Sequence, residues 1–232
     1  MRKPPNFDHL AGMYHWMETA TFGPSLDRCR TNFLGELHAS RNALIIGDGD
    51  GRFTATLLDH NPVVLVDALD SSAAMLQALI RNAGIRSSRI RIHHADARLW
   101  EPLIPTFDLI VTHFFLDCLT TKEVTALAKG LRAATTPNAK WVLSEFAIPR
   151  GWFGRLVAWP LVTMLYVAFF LLTGMSVFRL PNYRKALEGS GFVLSRERKW
   201  MGGILVSQLW IIRPPEEAPR PLRHAEELMQ AS

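Results

Sequence analysis

The eleven residues Ala43-Leu-Ile-Ile-Gly-Asp-Gly-Asp-Gly-Arg-Phe53 constrain this chain more than any other stretch. An apolar run of strand character ends abruptly in Gly47, Gly49 and Gly51, and helix-forming residues follow. Alternating glycines after a buried strand let the backbone turn sharply and come close to a ligand, because no Cβ stands in the way. The pattern therefore predicts a strand, a tight turn and a helix packed as the first unit of an α/β sheet.

The residues between the glycines narrow the ligand. A dinucleotide fingerprint needs glycine at position 52, where this chain has Arg52, and Asp48 and Asp50 would repel a pyrophosphate. A ligand without phosphates suits the turn better. S-adenosylmethionine, an adenosine joined to an amino acid through a cationic sulfonium, has a charge that nearby carboxylates favour.

A second apolar run, Val63 to Leu69, leads into Asp70-Ser71-Ser72-Ala73-Ala74-Met75-Leu76, a strand end followed by a serine-capped helix. Asp70 lies 23 positions after Gly47 and Asp67 lies 20 after it. Both are near the offset of about 20 at which an acidic residue meets ribose hydroxyls in such folds. Asp70 is preferred because Asp67 sits within the apolar run. A third strand, Ile90 to His94, precedes Ala95-Asp96-Ala97, and a fourth, Phe107 to Thr112, runs into His113-Phe114-Phe115-Leu116-Asp117.

With these motifs in order, the chain resembles the class I S-adenosylmethionine-dependent methyltransferases over about residues 43 to 212. The resemblance implies a Rossmann-like, seven-stranded, mostly parallel sheet with helices on both faces. It also implies that the loop Gly47-Asp48-Gly49-Asp50-Gly51 holds the methionine and ribose portions of the cofactor, that Asp70 with Ser71 holds the ribose, and that Asp96 and Ala97 meet the adenine, with His113 beside the cofactor. Phe7 to Ala11, with Tyr14, Trp16 and Phe22-Gly23, is similar to the lead-in of ubiquinone/menaquinone-type methyltransferases.

At 232 residues the chain suits one α/β domain with additions. The expected plan is an N-terminal helical cover (1–40), the S-adenosylmethionine-binding domain (41–212) with an apolar insertion at 151–180, and a loose tail (213–232). Ser25 is the expected cap of a helix in the cover, Thr121 that of a helix reaching Ala134, and Pro181 to Gly189 is read as a helix with proline in its first turn. Trp141 to Phe146, Phe192 to Ser195 and Ile204 to Ile212 are the remaining strands, the last two an antiparallel edge pair. Two cysteines, Cys29 and Cys118, supply no disulfide framework and suit a reducing cytoplasm. No metal-binding spacing occurs among the eight histidines. The net charge of +5 is spread without interleaved aromatics, which disfavours a nucleic-acid partner, and the Asn/Asp-Pro-Pro-Tyr signature of many amino-methylating nucleic-acid enzymes is absent.

Leu156 to Phe178 carries no charged residue. Its length meets the roughly 20-residue threshold for a membrane span, but two strands follow it and must return to the same sheet. It is left as a buried helix pair, a lid over an apolar pocket or a surface that dips into a membrane interface. The last two agree with a small, hydrophobic methyl acceptor. For oxygen or carbon methylation the candidate bases are His113, at the end of strand four, and Glu145, near the end of strand five, with His113 preferred because it titrates near neutrality. Asp117 is expected to orient substrate or cap a helix, and Tyr14, Trp16 and Tyr166 to line the acceptor pocket. Competing readings are a lipid or quinone methyltransferase at a membrane surface, a non-catalytic S-adenosylmethionine-binding module, and an NAD-dependent oxidoreductase.

Overall fold

In the computed structural model the described residues are 22–101, 106–173 and 179–213. Tyr14 and Trp16, most of the N-terminal cover, the end of the apolar insertion and the tail beyond Arg213 lie outside them. The described strands are β1 (Asn42–Ile46), β2 (Leu65–Asp70), β3 (Ile90–His94), β4 (Phe107–His113), β5 (Thr135–Phe146), β6 (Phe192–Trp200) and β7 (Leu205–Ile212). They form one sheet in the order β3-β2-β1-β4-β5-β7-β6. β7 alone runs against the others, because it pairs antiparallel with both β5 and β6. The expected seven-stranded, mostly parallel sheet is present, and the chain order reverses between β1 and β4, the point at whose carboxyl ends open α/β sheets bind their ligands.

Alternation along β1 divides the core. Leu44 and Ile46 pack into one apolar layer with Ile110, Trp141, Leu143 and Trp210. Ala43 and Ile45 pack into the other with Phe53, Leu57, Val66 and Leu79. Helices α1 (Ser25–Arg30), α2 (Arg52–His60), α3 (Ala73–Ala83), α4 (Thr121–Ala133), α5 (Trp159–Thr173) and α6 (Tyr183–Glu188) cover these layers. The residues of α2 and α3 bury one face and those of α4 and α6 the other. Two fully buried tryptophans satisfy their indole N–H groups internally, Trp141 on Thr112 Oγ1 and Trp210 on Gln208 Oε1, each at 2.9 Å.

Local signals were right in kind and shifted in detail. Ser72 caps α3 as expected, its hydroxyl accepting from the Met75 N–H at 3.2 Å. Ser25 is not a cap; it opens α1, and Pro24 occupies the preceding position. Thr120, not Thr121, caps α4, because only Thr120 stands three residues before Glu123 and can close a reciprocal capping box with it. Asn182 caps α6, its side chain accepting from the Lys185 N–H, so Pro181 precedes the helix rather than entering it. β5 begins at Thr135, six residues before its expected start, because its first residue pairs with Phe107 across a register irregularity. β6 runs to Trp200 rather than ending at Ser195.

Candidate active site

The glycine turn forms as its sequence demands. Gly47, Gly49 and Gly51 all have positive φ (+68°, +60° and +81°). A Cβ on Gly47 would stand 2.5 Å from the Phe115 ring, and one on Gly51 would stand 2.5 Å from Leu79 Cγ and 2.7 Å from Leu79 Cα. The turn is thus clasped between the loop after β4 and helix α3. Asp48 reaches past it to the start of α2, where Oδ2 accepts from the Thr54 N–H at 2.8 Å and the Thr54 hydroxyl at 2.6 Å. It supplies a first-turn acceptor that Gly51, at the helix cap, has no side chain to provide. Burial pushes Asp48 up to about 6 despite those bonds.

Asp70 closes β2 at its carboxyl end, while Asp67 lies three residues inside the strand and is taken by His93 Nε2 at 2.5 Å. Asp70 Oδ1 accepts the Ser72 N–H at 2.9 Å. Burial raises Asp70 to about 6 against that bond, and neighbouring Asp48 adds to the rise. The Ser71 carbonyl accepts from His94 Nε2 at 3.1 Å. Asp96 is gripped by Arg98, whose Nε lies 2.9 and 3.0 Å from its two oxygens and whose Nη2 lies 2.5 Å from Oδ2. The guanidinium holds Asp96 below the usual carboxylate range. Ala97 is buried in the core layer with Leu44, Ile46 and Leu69.

His113 ends β4 with its ring 4 % exposed residue-wide and edge-on to Phe53, ring centroids 4.4 Å apart. Its Nδ1 is 3.0 Å from Ser144 Oγ. The Ser144 hydroxyl in turn donates to the Cys29 carbonyl at 3.1 Å. A hydroxyl has one proton to give, so Nδ1 carries the histidine proton and Nε2 bears the lone pair. That Nε2 is buried without a hydrogen-bond partner. Burial, with Arg30 as a lesser cause, holds His113 well below its ordinary pKa. Phe114, directly after it, has φ +54°, a left-handed conformation that an aromatic residue rarely adopts, and its N–H bonds to the Ser144 carbonyl at 2.7 Å.

Glu145 is almost wholly buried; Oε1 accepts from the Leu116 N–H at 2.8 Å and Oε2 has no partner. Burial first, then Asp117, pushes its carboxyl well above the ordinary value. Asp117 rises to about 6, also through burial, and the Tyr166 hydroxyl donates to the Asp117 carbonyl at 3.4 Å. The fold thus brings Asp48, Asp70, His113, Asp117, Glu145 and Tyr166 to the carboxyl edge of β1, β2, β4 and β5, and it leaves Asp96 tied to Arg98. Residues that sequence reasoning missed are Arg30, 7 % exposed and stacked 5.3 Å over the Phe114 ring, and Phe53 and Thr54 of α2. Only their distance in space from the turn, not any spacing, ties Arg30 and Phe114 to the site.

The residues suit an S-adenosylmethionine ligand. Desolvated carboxylates at the turn favour hydroxyls and a positive charge, and the two glycine clefts leave no room for side chains. Residues 44–141 match the family described as a methyltransferase domain. Over 73 residues the chain is 41% identical to the malonyl-[acyl-carrier protein] O-methyltransferase of Paenibacillus sp. (strain JDR-2), a match covering 30% of this chain and 26% of that protein. The chain therefore spans about a quarter of that relative's length. The fold is similar to that of mitomycin 7-O-methyltransferase MmcR (TM-score 0.64, 16% identity, 89% of this chain and 60% of that one). It is also similar to N-methyltransferase NodS from Bradyrhizobium japonicum WM9, solved with S-adenosyl-L-homocysteine (TM-score 0.60, 16% identity, 82% and 88%). The domain match encloses the glycine turn, Asp70, Asp96 and His113, so residues 44–141, which carry the candidate site, are similar to a methyltransferase domain.

Proposed function

We propose that the chain moves a methyl group to an oxygen or carbon of a small, largely apolar acceptor. The observation that carries this reading is the buried, unpartnered Nε2 of His113 at the carboxyl end of β4. Gly47, Asp48, Gly49, Gly51, Asp70, Ser71, Asp96 and Ala97 are assigned to the cofactor, and Asp117 and Tyr166 to the acceptor. Tyr14 and Trp16 were assigned to the acceptor from sequence and lie outside the described residues.

When bound, S-adenosylmethionine supplies a methyl carbon on a cationic sulfur. Ser144 fixes the His113 tautomer, so Nε2 would accept a hydrogen bond from the acceptor's O–H or acidic C–H and would take that proton. The depressed pKa keeps Nε2 unprotonated at neutral pH but makes it a weak base, so its main work is alignment and its proton uptake is late. Glu145 is suited to donate from a protonated Oε2 rather than to act as a base, which is a different role from the one expected of it.

The test is calorimetric titration with S-adenosylmethionine, S-adenosylhomocysteine and NAD, followed by a screen of hydroxylated apolar acceptors with labelled cofactor. Cofactor binding with transfer supports the reading. Binding without transfer to any acceptor favours a non-catalytic module, and preference for NAD overturns the assignment.

A second reading, a lipid or quinone acceptor met at a membrane surface, is favoured by the exposed apolar face of α5. A reducing, cytoplasmic setting is supported by the free thiols of Cys29 and Cys118.

A further inference from the structure

After β5 the chain leaves the sheet through a π-helical turn, Gly154–Ala158, that runs directly into α5. The two faces of this segment have different fates. Gly154, Ala158, Val162 and Tyr166, spaced four apart, are buried, and the last three pack with Phe22, Leu26 and Leu205. Trp152, Leu156, Trp159 and Met164 point outward and are 71%, 72%, 57% and 60% exposed. Val157 and Val167 continue the same surface. The tip of the β6–β7 hairpin adjoins it: a Cβ on Gly202 would meet the Phe153 ring at 2.6 Å, and one on Gly203 would lie 3.4 Å from Pro149. Met201, also exposed, extends the apolar patch there.

A helix apolar on all sides is ordinarily buried all round or in contact with lipid. This one is apolar on both faces and buried on one. No helix among the described residues is long and apolar enough to cross a membrane. The chain must also return to pair β6 with β7. The cover for the outer face is therefore something the helix lies on.

Charge identifies the cover. From Phe146 to Leu180 there is no aspartate or glutamate, while Arg150, Arg155 and Arg179 punctuate the stretch. All three arginines are exposed. A second copy docked face to face would set these arginines against their own images with no acid in the segment to answer them. An anionic bilayer answers them directly: arginines reach the headgroups, tryptophans sit at the boundary, and Leu156 and Met164 enter the acyl layer. We infer that the outer face of α5 and its π-helical lead-in is a docking surface for an anionic lipid bilayer, engaged in the plane of the membrane. This inference does not depend on methyl transfer.

The test is cosedimentation of the full chain with phosphatidylcholine vesicles with and without 30 mol% phosphatidylglycerol. Expected is association with the anionic vesicles, reduced about tenfold or more by Trp152→Ser with Trp159→Ser and several-fold by Arg150→Gln with Arg155→Gln. Circular dichroism and cofactor titration of the variants should match those of the parent, since these side chains are exposed. No association, or association untouched by the tryptophan substitutions, overturns the inference. So does a dimer in light scattering that Trp159→Ser dissolves, which would make the cover a second copy. Shielding of both tryptophans from acrylamide in vesicle-free solution would overturn it too, because the chain would then cover the face itself.

Discussion

His113 and Ser144 form a directional pair across adjacent strands: Nδ1 donates to Oγ at 3.0 Å, Oγ donates in turn to the Cys29 carbonyl, and the imidazole is left with one lone pair facing no partner. The pair is possible because β4 and β5 are in parallel register with His113 opposite Ser144. A serine one residue along β5 would point to the other face of the sheet.

Ser144→Ala should therefore lower kcat by about tenfold with little change in cofactor KM, because the imidazole loses the acceptor that fixes its tautomer. His113→Gln should cost about a hundredfold in kcat, the range of a lost positioned base. Steady-state kinetics with cofactor binding measured separately decides this, and an unchanged kcat for His113→Gln would remove the residue from the mechanism.

Asp70→Ala should weaken S-adenosylmethionine binding by about 1–3 kcal/mol, the scale of a lost charge-assisted hydrogen bond. Asp67→Ala should leave it unchanged, since that carboxylate is occupied by His93. Isothermal titration of both variants checks the pair; the reverse outcome would move the ribose contact into the strand.

The pH dependence has two opposite signs. Asp48 and Asp70 are raised to about 6 in the folded chain from an ordinary 3.8. The folded state thus holds protons that the unfolded state has released, and the stability of the cofactor-free protein from these groups falls as pH rises from about 4 to about 6. A cationic ligand prefers the ionised carboxylates, so its affinity should fall as pH drops through about 6. Melting with and without S-adenosylmethionine should show a larger ligand-induced rise in Tm at pH 7.5 than at pH 5.5; equal shifts would refute the linkage.

Gly51→Ala should destabilise the fold by about 2–4 kcal/mol, combining a left-handed φ with overpacking. The new methyl would stand 2.7 Å from Leu79 Cα, a backbone atom that cannot swing aside. Denaturant unfolding measures it, and a loss under 1 kcal/mol would mean that α3 yields.

Thr120→Ala should cost about 1 kcal/mol by opening the capping box of α4, with cofactor affinity unaltered. This variant separates stability from binding, and a change in cofactor Kd would link the helix start to the site.

Much of the fold was legible because parallel strands buried on both faces read as largely apolar runs, and these runs stop at Gly47 after β1, at Asp70 in β2 and at His113 in β4. Asp70 was placed correctly at the end of β2 for that reason. The cap of α4 was misplaced by one residue because adjacent threonines offer the same hydroxyl, and geometry chooses between them. The Thr120 to Glu123 spacing held the answer for α4. Arg30 and Phe114 were not legible: one arrives from a helix about 80 residues away in sequence, and the other matters through a dihedral angle that no side-chain pattern encodes. The protonation states of Glu145 and His113 were equally hidden, since each depends on the depth of burial that the assembled sheet imposes.

Phe146 closes β5 one residue after Glu145, and the chain then departs for α5, whose Tyr166 hydroxyl returns to the carbonyl of Asp117. Asp117 is also the acid that adds, after burial, to the reluctance of Glu145 to ionise. The apolar insertion is thereby moored, through one phenol, to the loop that carries the buried acid beside Glu145.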